Sequence, residues 1–182
     1  MLLTLVAAVA AISFPGLAGA TTHTTSRRTP HKKGPTAQQK LAAEVTAAER
    51  SPDLWATVNV CTSAPGDDMV GIRGQMPSLG VTATLSMDIS VSYWNGSAFV
   101  PDNVSQAVTL GKGTHGIHQG GVNFPFAPPA TGSTFLVRGT ITFEWTIGTK
   151  VVGKVTHNTG HGYANVAFTN PPGYSSGTCT LS

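Results

Sequence analysis

Hydrophobic and polar residues alternate along two long stretches of the chain. From Leu85 to Tyr93, apolar side chains occupy every second position, and serine or aspartate fills the positions between them. The stretch from Phe135 to Ile147 repeats this alternation. A period of two residues is typical of a β-strand with one buried face. The pattern therefore predicts two long strands that each present one face to a hydrophobic core.

Shorter β-like segments accompany these two strands and are separated by turns rich in Gly, Pro, Asn and Ser. They lie at residues 54–60, 69–76, 97–102, 106–110, 121–126, 151–157 and 178–181. No helical period follows residue 50. We therefore expect an all-β fold over residues 53–182, an antiparallel β-sandwich of about 7–9 strands that is immunoglobulin-like in the loose sense.

The N-terminal part of the chain differs in composition. Residues 1–20 are almost entirely apolar and end in Ala18-Gly19-Ala20, which predicts a signal peptide cleaved after Ala20, with an uncleaved anchor helix as the alternative. Residues 21–40 are polar and rich in basic side chains, which predicts a disordered basic linker. The helix-favouring composition around residues 41–50 predicts a short helix there, ended by Ser51-Pro52.

Charge is distributed unevenly between the predicted linker and the predicted sandwich. Residues 21–40 contain five basic residues and no acid, whereas the chain from residue 51 onward contains five bases and six acids. The alkaline pI therefore comes from the linker, and a nucleic-acid partner is not expected. The linker could make weak contact with anionic polymers or lipid. We expect no transmembrane segment after processing.

The chain has two cysteines, Cys61 and Cys179, near the two limits of the predicted sandwich. An exported chain with an even number of cysteines normally pairs them. The pair would close a loop of about 118 residues, which the chain-entropy model values at nearly 5 kcal/mol. The sequence therefore predicts a disulfide, with two reduced buried cysteines as the alternative.

Four histidines occur as two close pairs in Gly-rich segments. His115 and His118 lie in "THGIHQGG", and His157 and His161 lie in "THNTGHGY". If both segments end at the same rim of the sandwich, the imidazoles could bind Zn²⁺ or Cu²⁺. The favoured interpretation is exposed or turn-bound histidines, so no metal and no cofactor is predicted.

Catalytic signals are weak elsewhere in the chain. "GYSSG" around Ser175 matches a nucleophile pattern, but no helix, acid or histidine follows it, so a turn is expected. No acid pair suited to glycosidic chemistry stands out. Trp94, Tyr163 and Tyr174 could form an exposed aromatic shelf for a carbohydrate or peptide. We predict no catalytic residues and no enzyme activity.

The C-terminal third carries a resemblance. The segments "GGVNFPFAPPATGSTFLVRG", "THNTGHG" and "PPGYSSGTC" resemble the C-terminal half of a group of uncharacterised secreted actinobacterial proteins. The resemblance implies export, a β-sandwich and a terminal disulfide, and it implies no activity. It also implies that His161, Pro171 to Tyr174 and Cys179 belong to a shared structural turn.

These observations together favour a secreted, non-enzymatic binding or interaction module of the bacterial cell envelope or exterior. Its partner would be an unknown extracellular or cell-wall component. The alternatives are an extracellular Zn²⁺- or Cu²⁺-binding protein that uses the four histidines, and a small secreted hydrolase.

Overall fold

The two alternating stretches form the centre of the larger of two β-sheets. The computed structural model describes residues 34–63 and 68–182, and residues 35–182 form one compact unit. One helix precedes the strands, α1 (Ala37–Glu49). The strands are β1 (Trp55–Thr62), β2 (Asp68–Pro77), β3 (Ala83–Trp94), β4 (Phe99–Gly113), β5 (Ile117–Phe126), β6 (Phe135–Ile147), β7 (Lys150–Asn158) and β8 (Cys179–Leu181).

The strands are arranged in two antiparallel sheets. The smaller sheet has the order β1-β2-β5, and the larger has the order β4-β3-β6-β7. Strand β8 pairs with the first residues of β6, and β7 pairs with its later residues. The prediction of an all-β antiparallel sandwich is confirmed.

The core lies between the two sheets and is built from the alternating positions. On β3 and β6 the inward residues from Leu85 to Val91 and from Val137 to Trp145 are buried. Gly74 of β2 lies so close to the larger sheet that a Cβ there would be 2.7 Å from Cδ1 of Ile141. The sheets therefore approach closely where a side chain is missing.

Strand β4 differs from its prediction. The segments 97–102 and 106–110 were expected as separate strands, but they belong to one strand of 15 residues with irregular pairing to β3. Ser90 pairs with Ser105 and Ser92 pairs with Pro101, so a single β3 residue faces three β4 residues. The intervening residues form a bulge, which joins the two predicted strands into one edge strand.

Helix α1 begins at Ala37, inside the segment that was assigned to the linker. Thr36 and Gln39 form a capping box, which satisfies backbone N–H groups at the start of the helix. Val45 and Ala48 are buried, and Val45 packs against Gly153 of β7. The helix is therefore docked on the sandwich, and its first turn lies four residues earlier than expected.

The predicted signal peptide and most of the predicted linker lie outside the described residues. Within residues 34–63 and 68–182, no helix has the length and apolar character needed to cross a membrane.

The segment 159–178 lies along the outer edge of β1. Gly160 and Ser176 donate backbone hydrogen bonds to β1, and Thr57 donates its hydroxyl to the carbonyl oxygen of Gly160 at 2.9 Å. The Asn59 side chain donates to the carbonyl oxygen of Phe168 at 2.8 Å. This segment satisfies polar groups that an exposed edge strand would otherwise leave unpaired.

The predicted disulfide is present. Cys61 of β1 and Cys179 of β8 are bonded, with their Cα atoms 5.5 Å apart. Because β1 belongs to the smaller sheet and β8 to the larger one, the bond joins the two sheets. It also links the first strand of the sandwich to the last.

Candidate functional site

A groove opens between the two sheets at one end of the sandwich. It has a volume of about 280 Å³ and is lined by Tyr93, Asp102, Phe126, Phe135 and Val137. These five residues define the end groove. They come from four strands, so the fold itself places them together. The end groove is the main candidate site for ligand binding in the described part of the chain.

The end groove forms because the larger sheet extends past the smaller one. Tyr93 and Phe135 continue the inward positions of β3 and β6, yet they are 40% and 41% exposed. The inward residues before Tyr93 on β3 and those from Val137 to Trp145 on β6 are buried. Strand β5 ends at Phe126, which lines the groove from the opposite sheet. Two aromatic rings are therefore left uncovered on the inner face.

Asp102 reaches the end groove from the β4 bulge. It lies between Pro101, which pairs with Ser92, and Asn103, whose backbone has a φ of 55°. Asparagine tolerates this left-handed conformation better than most residues do. The bulge therefore explains how an exposed edge strand contributes a carboxylate to the lining of an otherwise aromatic and aliphatic groove.

The disulfide lies next to one wall of the end groove. Val137, which lines the groove, pairs directly with Cys179 on β8. Val137 is also the β6 partner of Tyr93 on β3. The bond between the sheets therefore anchors the same wall that carries the groove residues.

The outer face of the larger sheet carries a second aromatic cluster at this end. The rings of Trp94 and Phe99 meet edge to face with centroids 5.3 Å apart. The guanidinium of Arg138 lies 4.2 Å from the centroid of the Phe99 ring. Arg138 alternates with the inward residues Val137 and Gly139, so its positive charge lies on the face opposite the end groove.

The structure does not bring the two histidine pairs together. His115 lies in the β4–β5 connection and His118 lies near the start of β5, and β4 and β5 are edge strands. His157 lies on β7, at the opposite edge of the larger sheet, and His161 follows it toward β1. Within the described residues, no group of three or more His, Cys, Asp or Glu side chains is placed to hold a metal ion.

Two of these histidines make structural contacts. The Nε2 atom of His118 is 3.1 Å from the Ser78 hydroxyl oxygen. The rings of His157 and Phe143 meet edge to face with their centroids 5.8 Å apart. Burial lowers the pKa of His157 below its ordinary value of 6.5, because the charged imidazolium is poorly solvated there.

The lowered pKa of His157 predicts a loss of stability in mild acid. Between the lowered pKa and 6.5, the folded chain binds fewer protons at this site than the unfolded chain does. The contribution is therefore fully present above about pH 6.5 and is lost as the pH falls toward the lowered pKa. Urea unfolding at about pH 7.5 and about pH 5.5 should show a smaller pH dependence for His157→Gln than for the wild type. An equal pH dependence in both proteins would contradict this assignment.

Ser175 and the loop aromatics have structural roles. The Ser175 hydroxyl oxygen lies 2.9 Å from that of Thr57 and accepts a hydrogen bond from the Tyr163 backbone. Tyr163 stacks on Trp55 with centroids 5.0 Å apart, and the Tyr174 hydroxyl donates to the Thr178 carbonyl oxygen. These contacts tie segment 159–178 to the sandwich. Trp94 contacts neither tyrosine in a ring pair, so the three-membered aromatic shelf is not formed.

The acidic residues considered in the sequence are separated. Asp67 lies outside the described residues, and Asp68 is buried at the start of β2. Asp88 is exposed on β3, and Glu144 forms an ion pair with Lys154 of the neighbouring strand. No two of the acids that the structure describes therefore form a catalytic pair in this arrangement.

The sequence pattern does not distinguish the residues that form the end groove from other strand residues. Tyr93 and Phe135 appear there as ordinary members of the alternating pattern, and Asp102 appears as the end of a short strand. The available signal was their position at the ends of the two longest strands, where a shorter facing sheet would leave inward side chains uncovered.

Comparisons with known proteins do not identify a family. No family model matches the chain, and no curated protein matches it. A protein described as a beta-galactosidase from Bacteroides fragilis aligns with 60% of this chain and 16% of its own, at 14% identity and a TM-score of 0.32. The sporulation control protein Spo0M from Bacillus subtilis aligns with 59% of this chain and 49% of its own, at 10% identity and a TM-score of 0.29. The chain thus spans less than half the length of either structure, and these likenesses carry no functional argument.

Proposed function

We propose that this chain is a non-enzymatic binding module that works outside the cytoplasm and holds one apolar group of its ligand in the end groove. The observation that carries the proposal is the pair of uncovered inward rings, Tyr93 and Phe135, in a face that is otherwise buried. An exposed inward ring leaves apolar surface in water, and a ligand that covers it gains hydrophobic stabilisation.

The size of the end groove limits what it can hold. Its volume of about 280 Å³ is below the usual range for a site that encloses a whole drug-sized ligand. A cavity of about 150 Å³ is large enough for benzene. The end groove therefore suits one ring or one branched alkyl group of a larger ligand.

The position of the end groove supports binding by a preformed site. Its walls are β-strands of both sheets, and the disulfide joins those sheets next to Val137. A site built on strands loses little freedom when a ligand binds, so more of the contact energy remains as affinity. The disulfide also supports a location outside the reducing cytoplasm.

Benzyl alcohol is a suitable neutral probe for the proposed site. Titration followed by amide chemical shifts should give saturable binding in the millimolar range, which is usual for so small a ligand. Tyr93→Ala and Phe135→Ala should each weaken binding by about fivefold or more, because each removes one face of the groove.

The matched control is Phe168→Ala. Phe168 is 82% exposed and lies over Arg73 on a different part of the surface. Its removal should leave benzyl alcohol affinity within about twofold of the wild type. Benzyl alcohol binding that is unchanged in Tyr93→Ala and Phe135→Ala, or that is absent in the wild type, would overturn the proposed function.

A further inference from the structure

The charge on the lining of the end groove is negative. Asp102 contributes a carboxylate, and the lining residues that the structure describes include no lysine, arginine or histidine. The nearby positive charge of Arg138 is held over the Phe99 ring, on the outer face of the sheet. A ligand group in the end groove therefore meets negative charge without a competing protein cation.

The remaining lining strengthens this preference. Tyr93, Phe126 and Phe135 are three of the five lining residues. The face of an aromatic ring carries a negative quadrupole, which attracts a cation positioned over it. Quaternary alkylammonium groups suit such sites because their methyl groups contact the rings while their charge is weakly hydrated.

We infer that the group held in the end groove is a quaternary alkylammonium group, whose methyl groups make the apolar contact and whose charge is positive. This inference rests on the proposed function, and it names the chemical class of the ligand. Asp102 would supply the counter-charge at the mouth of the groove, and the three rings would contact the methyl groups. An anionic ligand would meet repulsion from Asp102, and a neutral group of equal size would gain the apolar contact alone.

Choline and 3,3-dimethyl-1-butanol test the inference because they have nearly the same shape and differ in charge. Choline should bind the wild-type protein about tenfold more tightly than the neutral compound does. Glucose, a neutral and polar ring, should bind more weakly than choline. The choline affinity should also fall as salt rises from about 0.05 to 0.5 M, because Asp102 is exposed to solvent.

Asp102→Asn tests the role assigned to the carboxylate. It should weaken choline binding by about fivefold or more and leave 3,3-dimethyl-1-butanol binding within about twofold. The matched control is Asp88→Asn, which removes an exposed carboxylate from the outer face of β3. Asp88→Asn should leave the affinity for both compounds within about twofold of the wild type.

The outcomes separate this inference from the proposed function. Equal binding of choline and 3,3-dimethyl-1-butanol, or tighter binding of glucose than of choline, would overturn the alkylammonium assignment. If benzyl alcohol still binds in that case, the end groove remains a binding site. Equal loss of choline affinity in Asp102→Asn and Asp88→Asn would also overturn it, because the attraction would then be a general surface effect. If the wild-type protein also fails to bind benzyl alcohol, the proposed function itself is overturned.

Discussion

Replacing Cys61 and Cys179 together by alanine is expected to lower the free energy of unfolding by about 3–5 kcal/mol. The bond closes a loop with a sequence separation of 118 residues, so its loss frees a long part of the unfolded chain. It also releases the link between the two sheets, because β1 and β8 belong to different sheets. Urea denaturation of both proteins at one pH measures the difference.

Ser63→Ala is the control for the disulfide variant. Ser63 follows β1 and accepts a hydrogen bond at 2.8 Å from the backbone N–H of Ser182, which follows β8. This contact therefore links the same two strands as the disulfide, without a covalent bond. Its loss should cost less than about 1 kcal/mol, because the contact is exposed to water. A double alanine variant that is as stable as Ser63→Ala would show that the disulfide does not hold the sandwich together.

Trp145→Ala is expected to destabilise the fold by about 3–5 kcal/mol. Trp145 is fully buried in the core, and its indole N–H donates to the carbonyl oxygen of Pro77 at 2.8 Å. The substitution leaves a large cavity and removes the hydrogen-bond partner of that carbonyl. Thermal unfolding followed by circular dichroism should show a large fall in Tm.

Trp94→Ala provides the matched comparison for Trp145→Ala. Trp94 is 43% exposed and packs on Phe99 at the surface of the same sheet. Its removal should cost about 1 kcal/mol or less. Similar losses for the two tryptophans would contradict the assignment of Trp145 to the core and Trp94 to the surface.

The alternation of side chains was sufficient to predict the centre of the fold. Leu85 to Tyr93 and Phe135 to Ile147 form the paired strands β3 and β6, as the period of two indicates. The two cysteines were sufficient to predict the disulfide, because they lie at the limits of the β-rich region. These features depend on the local alternation of side chains or on the pairing of two cysteines, so they can be predicted from one sequence.

The end groove could not be predicted in the same way. It depends on where β5 ends relative to Tyr93 and Phe135, which is a relation between strands distant in sequence. It also depends on the bulge around Asn103, which the sequence presents as a break between two strands. The separation of the histidine pairs has the same cause, because strand order decides which loops share an edge.

Intermolecular nuclear Overhauser effects test the central claim most directly, namely that the end groove is the binding site. With benzyl alcohol at saturating concentration, its methylene protons should show contacts to the ring protons of Tyr93, Phe126 and Phe135. Contacts to Ile117 at the opposite end of the sandwich, or to Phe168, in place of these three rings would contradict the account.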